Sequence, residues 1–401
     1  MMVDFALFFI LFVAIAAGWV LGRRTQATAA QTDKSLTLPS QYYKGLNYLL
    51  DGQPDGAIDA FVDALEVNSE TLDTHIAVGN LLRRRGEVDR AIRIHQNLLS
   101  RPSLPRQHLH HAHLELARDY ISAGLLDRAE RLLQDLVLES AEQKVTSQKH
   151  LLEIYQDEKD WGKAIAIARG MLPRKSRLST SEPDDKQVLV SLAHYLCEMA
   201  EACMQANDFD HARSLLKEAM EYDKICVRAS LLLGEIEWRS DNFNFAIKAL
   251  KRVRYQDPEY IPETIYLLHK CYLAQGDRAG LHVYLRACME YYPSVTLMLM
   301  MAKDIRQSEG DEAAGAFIGA QLKSRPSLKG LSQLIELHVA NAAGAAKENL
   351  KLLQQLVEKL ILNKPAYRCS HCGFSGRQLH WLCPGCKQWG TIKVIRGTEG
   401  D

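Results

Sequence analysis

The chain carries no excess charge: 49 basic residues stand against 49 acidic ones over 401 positions. Without a net positive field it has no electrostatic footprint for nucleic acid, so only a local patch could serve that purpose. Signatures of common catalysts are missing as well. There is no G-x-x-x-x-G-K-[ST] to cradle a triphosphate, no G-x-G-x-x-G after a strand, no H-E-x-x-H and no G-x-S-x-G. Paired carboxylates such as Asp184 and Asp185 fall in a polar stretch and read as solvated. Cysteine lacks the even, regular spacing of a secreted disulfide framework. Nine are present, and Cys197, Cys203, Cys226, Cys271 and Cys288 are scattered over apolar helical stretches, as reduced core thiols are. A strand pattern is also absent from the bulk of the chain; apolar residues recur at spacings of three and four, which predicts helices.

What the chain does have begins at its N-terminus. Phe5 to Leu21 holds 17 residues without a charge, followed by Gly22, Arg23 and Arg24. At 1.5 Å per residue such a helix spans roughly 26 Å, enough to cross a bilayer with little tilt. A cleaved signal peptide is the competing reading, but it carries positive charge before its apolar run, and here the only early charge is Asp4. Trailing arginines hold the rest of the chain in the cytoplasm. Residues 1–24 are therefore expected to be a transmembrane anchor with its basic flank, and residues 25–40 a polar linker ending near Pro39.

A repeat occupies the middle. Ala57, Ala91, Ala129, Ala164, Ala212, Ala246, Gly280 and Ala314 are separated by 34, 38, 35, 48, 34, 34 and 34 residues. Twelve residues before each lie Gly45, Gly79, Ala117, Leu152, Ala200, Gly234, Leu268 and Ala302, mostly small. Four residues after lie Phe61, His95, Leu133, Ala168, Leu216, Leu250, Tyr284 and Ile318, mostly large. Two helices that cross closely require small residues at the crossing. Pro258 and Pro326 fall at one offset and should end a helix before the next unit. The two long gaps contain Arg101 to Pro105 and a polar insertion around Arg174 to Lys186, read as an exposed loop. This double register resembles the tetratricopeptide repeat. It implies an α-solenoid over residues 41–363, closed by a helix pair at Gly330 to Asn341 and Ala345 to Leu362 that covers the last apolar face.

The C-terminal segment carries the metal chemistry. Cys369-x-x-Cys372-Gly373-Phe374 is followed, with ten residues between Cys372 and Cys383, by Cys383-Pro384-Gly385-Cys386. Two C-x-x-C turns so spaced make a tetrahedral four-thiolate site for zinc or iron. Gly373 and Gly385 are expected to permit the tight knuckle turns. Phe374, Trp381 and Trp389 are expected to supply a small core, and Gln388 to Ile395 a closing strand. The pattern resembles the knuckles of rubredoxin and the zinc ribbons, with a shorter stretch between knuckles than an electron-carrying rubredoxin has. Residues 364–401 are thus read as a metal-binding β knuckle. A second cluster, His108, His110, His111 and His113, shows no acidic or cysteine partner close by in sequence and reads as an ordinary helix face.

One anchor, tetratricopeptide units and a rubredoxin-type knuckle together resemble the lipopolysaccharide assembly protein B family. The resemblance rests on Gly79 to Leu82 leading to Arg85 through Gln96, on Ala123 to Glu130, and on Tyr367 through Cys386 ending in Thr391-Ile392-Lys393 and Ile395-Arg396-Gly397. It implies a non-catalytic adaptor of the bacterial inner membrane. Such an adaptor restrains lipopolysaccharide synthesis by helping the membrane protease FtsH degrade the deacetylase LpxC, and it contacts other envelope proteins. A general scaffold for envelope enzymes and an electron carrier are the alternatives.

The arginines give a first prediction. A reporter fused after Asp401 will be active only in a cytoplasmic form; activity of a periplasmic reporter would reverse the orientation.

Overall fold

The computed structural model describes residues 72–100, 105–172, 183–362, 364–398 and 400–401, with scattered positions between 43 and 60. The expected anchor (Phe5 to Leu21), the linker and most of the first repeat lie outside the described residues. Among the described residues no helix is long and apolar enough to cross a membrane. The chain divides into two compact units, Met1–Ser147 and Gln148–Asp401.

In the first unit α1 (Leu72–Arg84) and α2 (Val88–Leu99) form one hairpin, and α3 (Arg106–Ser122) and α4 (Leu126–Glu139) the next. Each turn places a glycine, Gly86 or Gly124, at positive φ just before the next helix begins. Gly79 of α1 faces α2: a Cβ there would sit 2.5 Å from the His95 imidazole. The small residue thus makes room for the large side chain four positions past Ala91. His95 is fully buried, and its Nδ1 meets Asp119 Oδ2 at 2.5 Å. Arg83 bridges Asp119 and Glu115, both at 2.7 Å. Glu115 is held below its ordinary range: burial opposes ionisation, but the Arg83 and Arg118 guanidinium groups outweigh it.

α5 (Lys144–Glu158) begins in the first unit and ends in the second. The second unit continues with α6 (Trp161–Met171), α7 (Pro183–Gln205), α8 (Phe209–Tyr222), α9 (Val227–Arg239), α10 (Phe243–Gln256), a 3-10 turn (Pro258–Tyr260) and α11 (Ile261–Gln275). α12 (Arg278–Tyr291), α13 (Val295–Glu309), α14 (Asp311–Ser324), α15 (Leu328–Asn341) and α16 (Gly344–Leu362) complete the helices. From α6 onward neighbours in sequence pack against one another, and α7, α9, α11, α13 and α15 also touch in succession, so the first helices of the hairpins form one layer. Pro258 and Pro326 follow the ends of α10 and α14, as their common offset predicts. The polar insertion is shorter than expected: Pro183 to Lys186 already belong to α7.

The registers are buried as the packing argument requires. Ala164, Ala200, Ala212, Leu216, Ala246 and Leu250 are fully buried, and a Cβ on Gly234 would stand 2.6 Å from Leu250. One unit departs from the sequence reading. In α12 the buried position is Leu281, and Gly280 is half-exposed. The helix cap decides this. Asp160, Asp208 and Asn242 precede Ala164, Ala212 and Ala246 by four, and Asp277 precedes Leu281 by four. The Asp277 carboxylate accepts from the Gly280 amide, so Gly280 belongs to the first turn and the register slips by one. Of the scattered cysteines, Cys197, Cys226, Cys271 and Cys288 are buried, whereas Cys203 is half-exposed. The closing pair is present as α15 and α16, but α16 turns a row of leucines to solvent instead of a polar face.

Gly234→Ala will cost roughly 1–3 kcal/mol, because its methyl overpacks against Leu250. Denaturant unfolding of Gly234→Ala and of Gly234→Ala with Leu250→Val reads this out, the second change recovering most of the loss. Equal stability of wild type and Gly234→Ala would refute the packing account.

Candidate metal centre and its seat on the repeats

Three short strands close the chain: β1 (Tyr367–Cys369), β2 (Ser375–Gly376) and β3 (Ile392–Val394), in the order β2-β1-β3, all antiparallel. Cys369 ends β1, and the knuckle turn after it carries Cys372; Cys383 and Cys386 lie on the opposite turn. Their four sulfurs lie within 4.8 Å of one another. Cys369 and Cys386 are 3.8 Å apart, and Cys372 and Cys383 are 3.6 Å apart. A tetrahedral ion with metal–sulfur bonds near 2.3 Å sets its ligands about 3.8 Å apart, so the donor set fits one zinc or iron.

The turns are built unequally. Gly373 follows Cys372 at φ 79°, and Lys387 follows Cys386 at φ 57°. Gly385, expected to supply a special backbone conformation, does not. Its missing side chain leaves space instead, since a Cβ there would lie 3.2 Å from Cys372 Sγ. Lys387 takes the left-handed position in its place. The sulfurs differ in environment. Burial raises the Cys369 thiol, but the Thr391 hydroxyl at 3.3 Å and the amides of Cys372 and His371 outweigh it and bring it down to about 6. Cys386 is pushed up to about 12 by desolvation and the neighbouring sulfurs, against a hydrogen bond from the Gln388 amide. A cation binding all four must displace protons, so its affinity drops as the solution is made acidic.

The tryptophans do not form the knuckle's own core. Its centre is Cys369, Cys383 and Ile392, with Tyr367, Phe374 and Leu379 packed on them. Trp389 turns outward onto the helices and is 7% exposed. It stacks on His194 of α7 at 4.8 Å and 15°, meets Trp161 and Tyr195 edge-on, and donates Nε1–H to Gln156 Oε1 at 2.8 Å. Trp381 stacks on Tyr260 at 5.4 Å, within a cluster holding Val227 and Val253. The Tyr260 hydroxyl donates to the Ile392 carbonyl at 2.8 Å. A polar seam extends this seat. Lys387 pairs with Asp157, Lys393 with Asp257, and Arg396 with Glu259, while the Tyr367 hydroxyl donates to Glu263. Beyond β3 the Thr398 carbonyl accepts from the Leu328 amide, and Asp401 accepts from the amide and hydroxyl of Thr296.

No local sequence signal pointed to His194, Gln156 or Tyr260, because their partners lie more than a hundred residues away. The histidine cluster falls in α3. It does have acidic neighbours, contrary to the sequence reading: His111 lies 3.9 Å from Glu115, one helical turn on, and His110 lies 3.8 Å from Glu139 of the next helix. Among the described residues, the four cysteines alone bring three or more ligand atoms together.

Comparison with known proteins agrees with this anatomy. A family model described as rubredoxin metal binding domain matches residues 367–393, and two tetratricopeptide repeat models match residues 74–108 and 204–264. Lipopolysaccharide assembly protein B of Escherichia coli K12 is 38% identical over 395 residues, covering 98% of this chain and 99% of that protein. Its counterpart in Haemophilus influenzae is 34% identical over 402 residues, covering 98% of each.

Cys386→Ser will lose the ion and free the segment after Lys364; limited proteolysis will then cut between residues 366 and 396, and intact fragments would contradict the coupling. A second outcome concerns pH. Burial and the nearby Arg228 lower His194 from 6.5 to about 3. The unfolded chain therefore takes up a proton between those values that the folded chain refuses. Stability is full above about pH 6.5 and falls toward pH 3, by about 1.4 kcal/mol per unit from this group. His194→Phe keeps the stacking and will flatten that part of the pH dependence measured by denaturant unfolding.

Proposed function

The chain belongs to the lipopolysaccharide assembly protein B family, and from that membership we propose that it is an inner-membrane adaptor that promotes FtsH-dependent degradation of LpxC. On this reading it performs no catalysis; it brings substrate and protease together and so limits lipid A synthesis. The observation that carries the reading is the end-to-end match to relatives named for lipopolysaccharide assembly, extending over 98% of this chain. The repeats supply the binding surface, since stacked helical hairpins recognise protein segments. Cys369, Cys372, Cys383 and Cys386 hold one zinc or iron ion, which acts as a cross-link. Bound there, the ion ties the two knuckle turns together and fixes Trp381 and Trp389 for their seat on the helices. Nothing in this role requires a change of redox state, and the absorbance of purified protein distinguishes a coloured ferric site from colourless zinc.

Anchoring by Phe5 to Leu21 supports the same reading. Confining the repeats beside a membrane protease raises their effective concentration toward the millimolar range, so weak contacts suffice and release stays fast. Arg23 and Arg24 are not interchangeable with acidic residues here, because their positive charge keeps the repeats on the cytoplasmic side.

Removing Met1 to Arg24 will leave a folded, metal-loaded protein that fails to lower deacetylase levels at native expression. Strong overexpression will partly restore the effect, and an unrelated helix of the same orientation will restore it fully. Full activity of the shortened chain at native levels would defeat the tether. Deacetylase levels indifferent to the whole protein would favour a general scaffold for envelope enzymes.

A further inference from the structure

α16 ends the helices without closing them. Leu352, Leu353, Leu356 and Leu360 are 56%, 50%, 49% and 54% exposed, while Val357, one step round the helix beyond Leu353, is buried. At 100° per residue Leu352, Leu356 and Leu360 span about 80° of the helix surface, with Leu353 extending the stripe on one border. Glu348 and Lys359 lie together on the other border, about one side chain away from Leu352. A four-leucine face of this kind marks an interaction site.

The charges along α16 select the occupant. The helix carries Lys347, Glu348, Lys351, Glu358 and Lys359. Signs are mixed from end to end, which gives little attraction to an anionic lipid surface. The same pattern is its own complement. If two copies of α16 pair antiparallel about a two-fold axis between Leu353 and Gln354, Glu348 lies five and a half residues to one side and Lys359 as far to the other, about 8 Å each. The axis keeps the two borders matched, so Glu348 of each copy meets Lys359 of the other. Leu352, Leu353 and Leu356 of one helix then meet those of its mate around the axis, and Leu360 falls between Ala345 and Asn349 of the mate. Glu348 is paired with Lys351 of its own helix at 3.0 Å, and both groups are exposed, so exchanging that contact costs little.

We propose that α16 is a self-association surface, pairing antiparallel with α16 of a second copy of this chain through Leu352, Leu353, Leu356 and Leu360, with reciprocal Glu348–Lys359 ion pairs at its border. The isologous arrangement is the form most dimers take. The patch is small against a standard interface, so the dimer is weak and depends on concentration. Two chains held in one membrane meet this condition more easily than two in solution.

The test is sedimentation of the full chain in detergent micelles over a range of concentrations. Wild type will pass from monomer to dimer, and Leu352→Glu with Leu356→Glu will weaken the dimer more than a hundredfold. Because that double change alters a helix, circular dichroism and denaturant unfolding check that it folds. The border gives an independent arm at exposed positions. Glu348→Lys alone and Lys359→Glu alone will each weaken their own dimers roughly tenfold. An equimolar mixture of the two will dimerise like wild type, because the ammonium introduced by Glu348→Lys in one chain faces the carboxylate introduced by Lys359→Glu in the other. A parallel pairing gives a different pattern: Glu348 would face Glu348 in wild type, so neither single change would weaken its dimer and the mixture would associate more tightly than wild type. A chain that stays monomeric throughout, association that survives the leucine changes, or single variants that dimerise like wild type would each overturn the proposal and leave the face to a different protein or a lipid surface.

Discussion

Much of this molecule depends on one indole. Trp389 stands three residues past the last of the four cysteines, so an ion bound there fixes its place within a turn. Its ring is wedged among His194, Trp161 and Tyr195, and its N–H is taken by Gln156. Burial of a side chain that size is worth about 4–6 kcal/mol at the usual area coefficient, an upper bound. Inorganic chemistry at the chain's end is thereby converted into the spacing of α5, α6 and α7. The price of His194 being neutral in this stack is a stability that declines in acid.

Electrostatics reinforce the wedge without dominating it. In the seam Lys387, Lys393 and Arg396 of the C-terminal segment face Asp157, Asp257 and Glu259 of the helices. Each pair is partly exposed and contributes little alone. Together they fix direction and register along the seat. A chain that is neutral in total therefore contains a basic tail matched to acidic helix ends, a division the overall count conceals.

The helices were legible because close crossing leaves so few choices. Alanine or glycine every 34 residues, with a large side chain one turn on, follows from two backbones approaching each other, and the buried register from Ala91 to Ala314 reflects that. The slip at Gly280 was not legible from side-chain size, since glycine looks ideal at a crossing; the cap Asp277 decides. The cysteines could be grouped from spacing alone because ligands of one ion must be reached within two short turns. Trp381 and Trp389 were misplaced for the opposite reason. Proximity in sequence suggested a local core, whereas their partners lie on α5, α7 and the turn before α11. Gly385 was misread in the same way, as a conformational residue when it provides space beside a sulfur. The leucines of α16 looked like a cap in the periodic pattern, which reports an apolar stripe but not what covers it.

The bond between Gln156 and Trp389 joins residues 233 positions apart. A ribosome working at 5–20 residues per second takes roughly 10–50 seconds to travel that distance. Once made, the helices around His194, Val227 and Tyr260 stand with their apolar seat bare until that interval ends. The nascent chain is then most exposed to aggregation and most in need of a chaperone, and the last few dozen codons end the danger. A product that stopped short of residue 364 would keep the repeats and lose all of their cover.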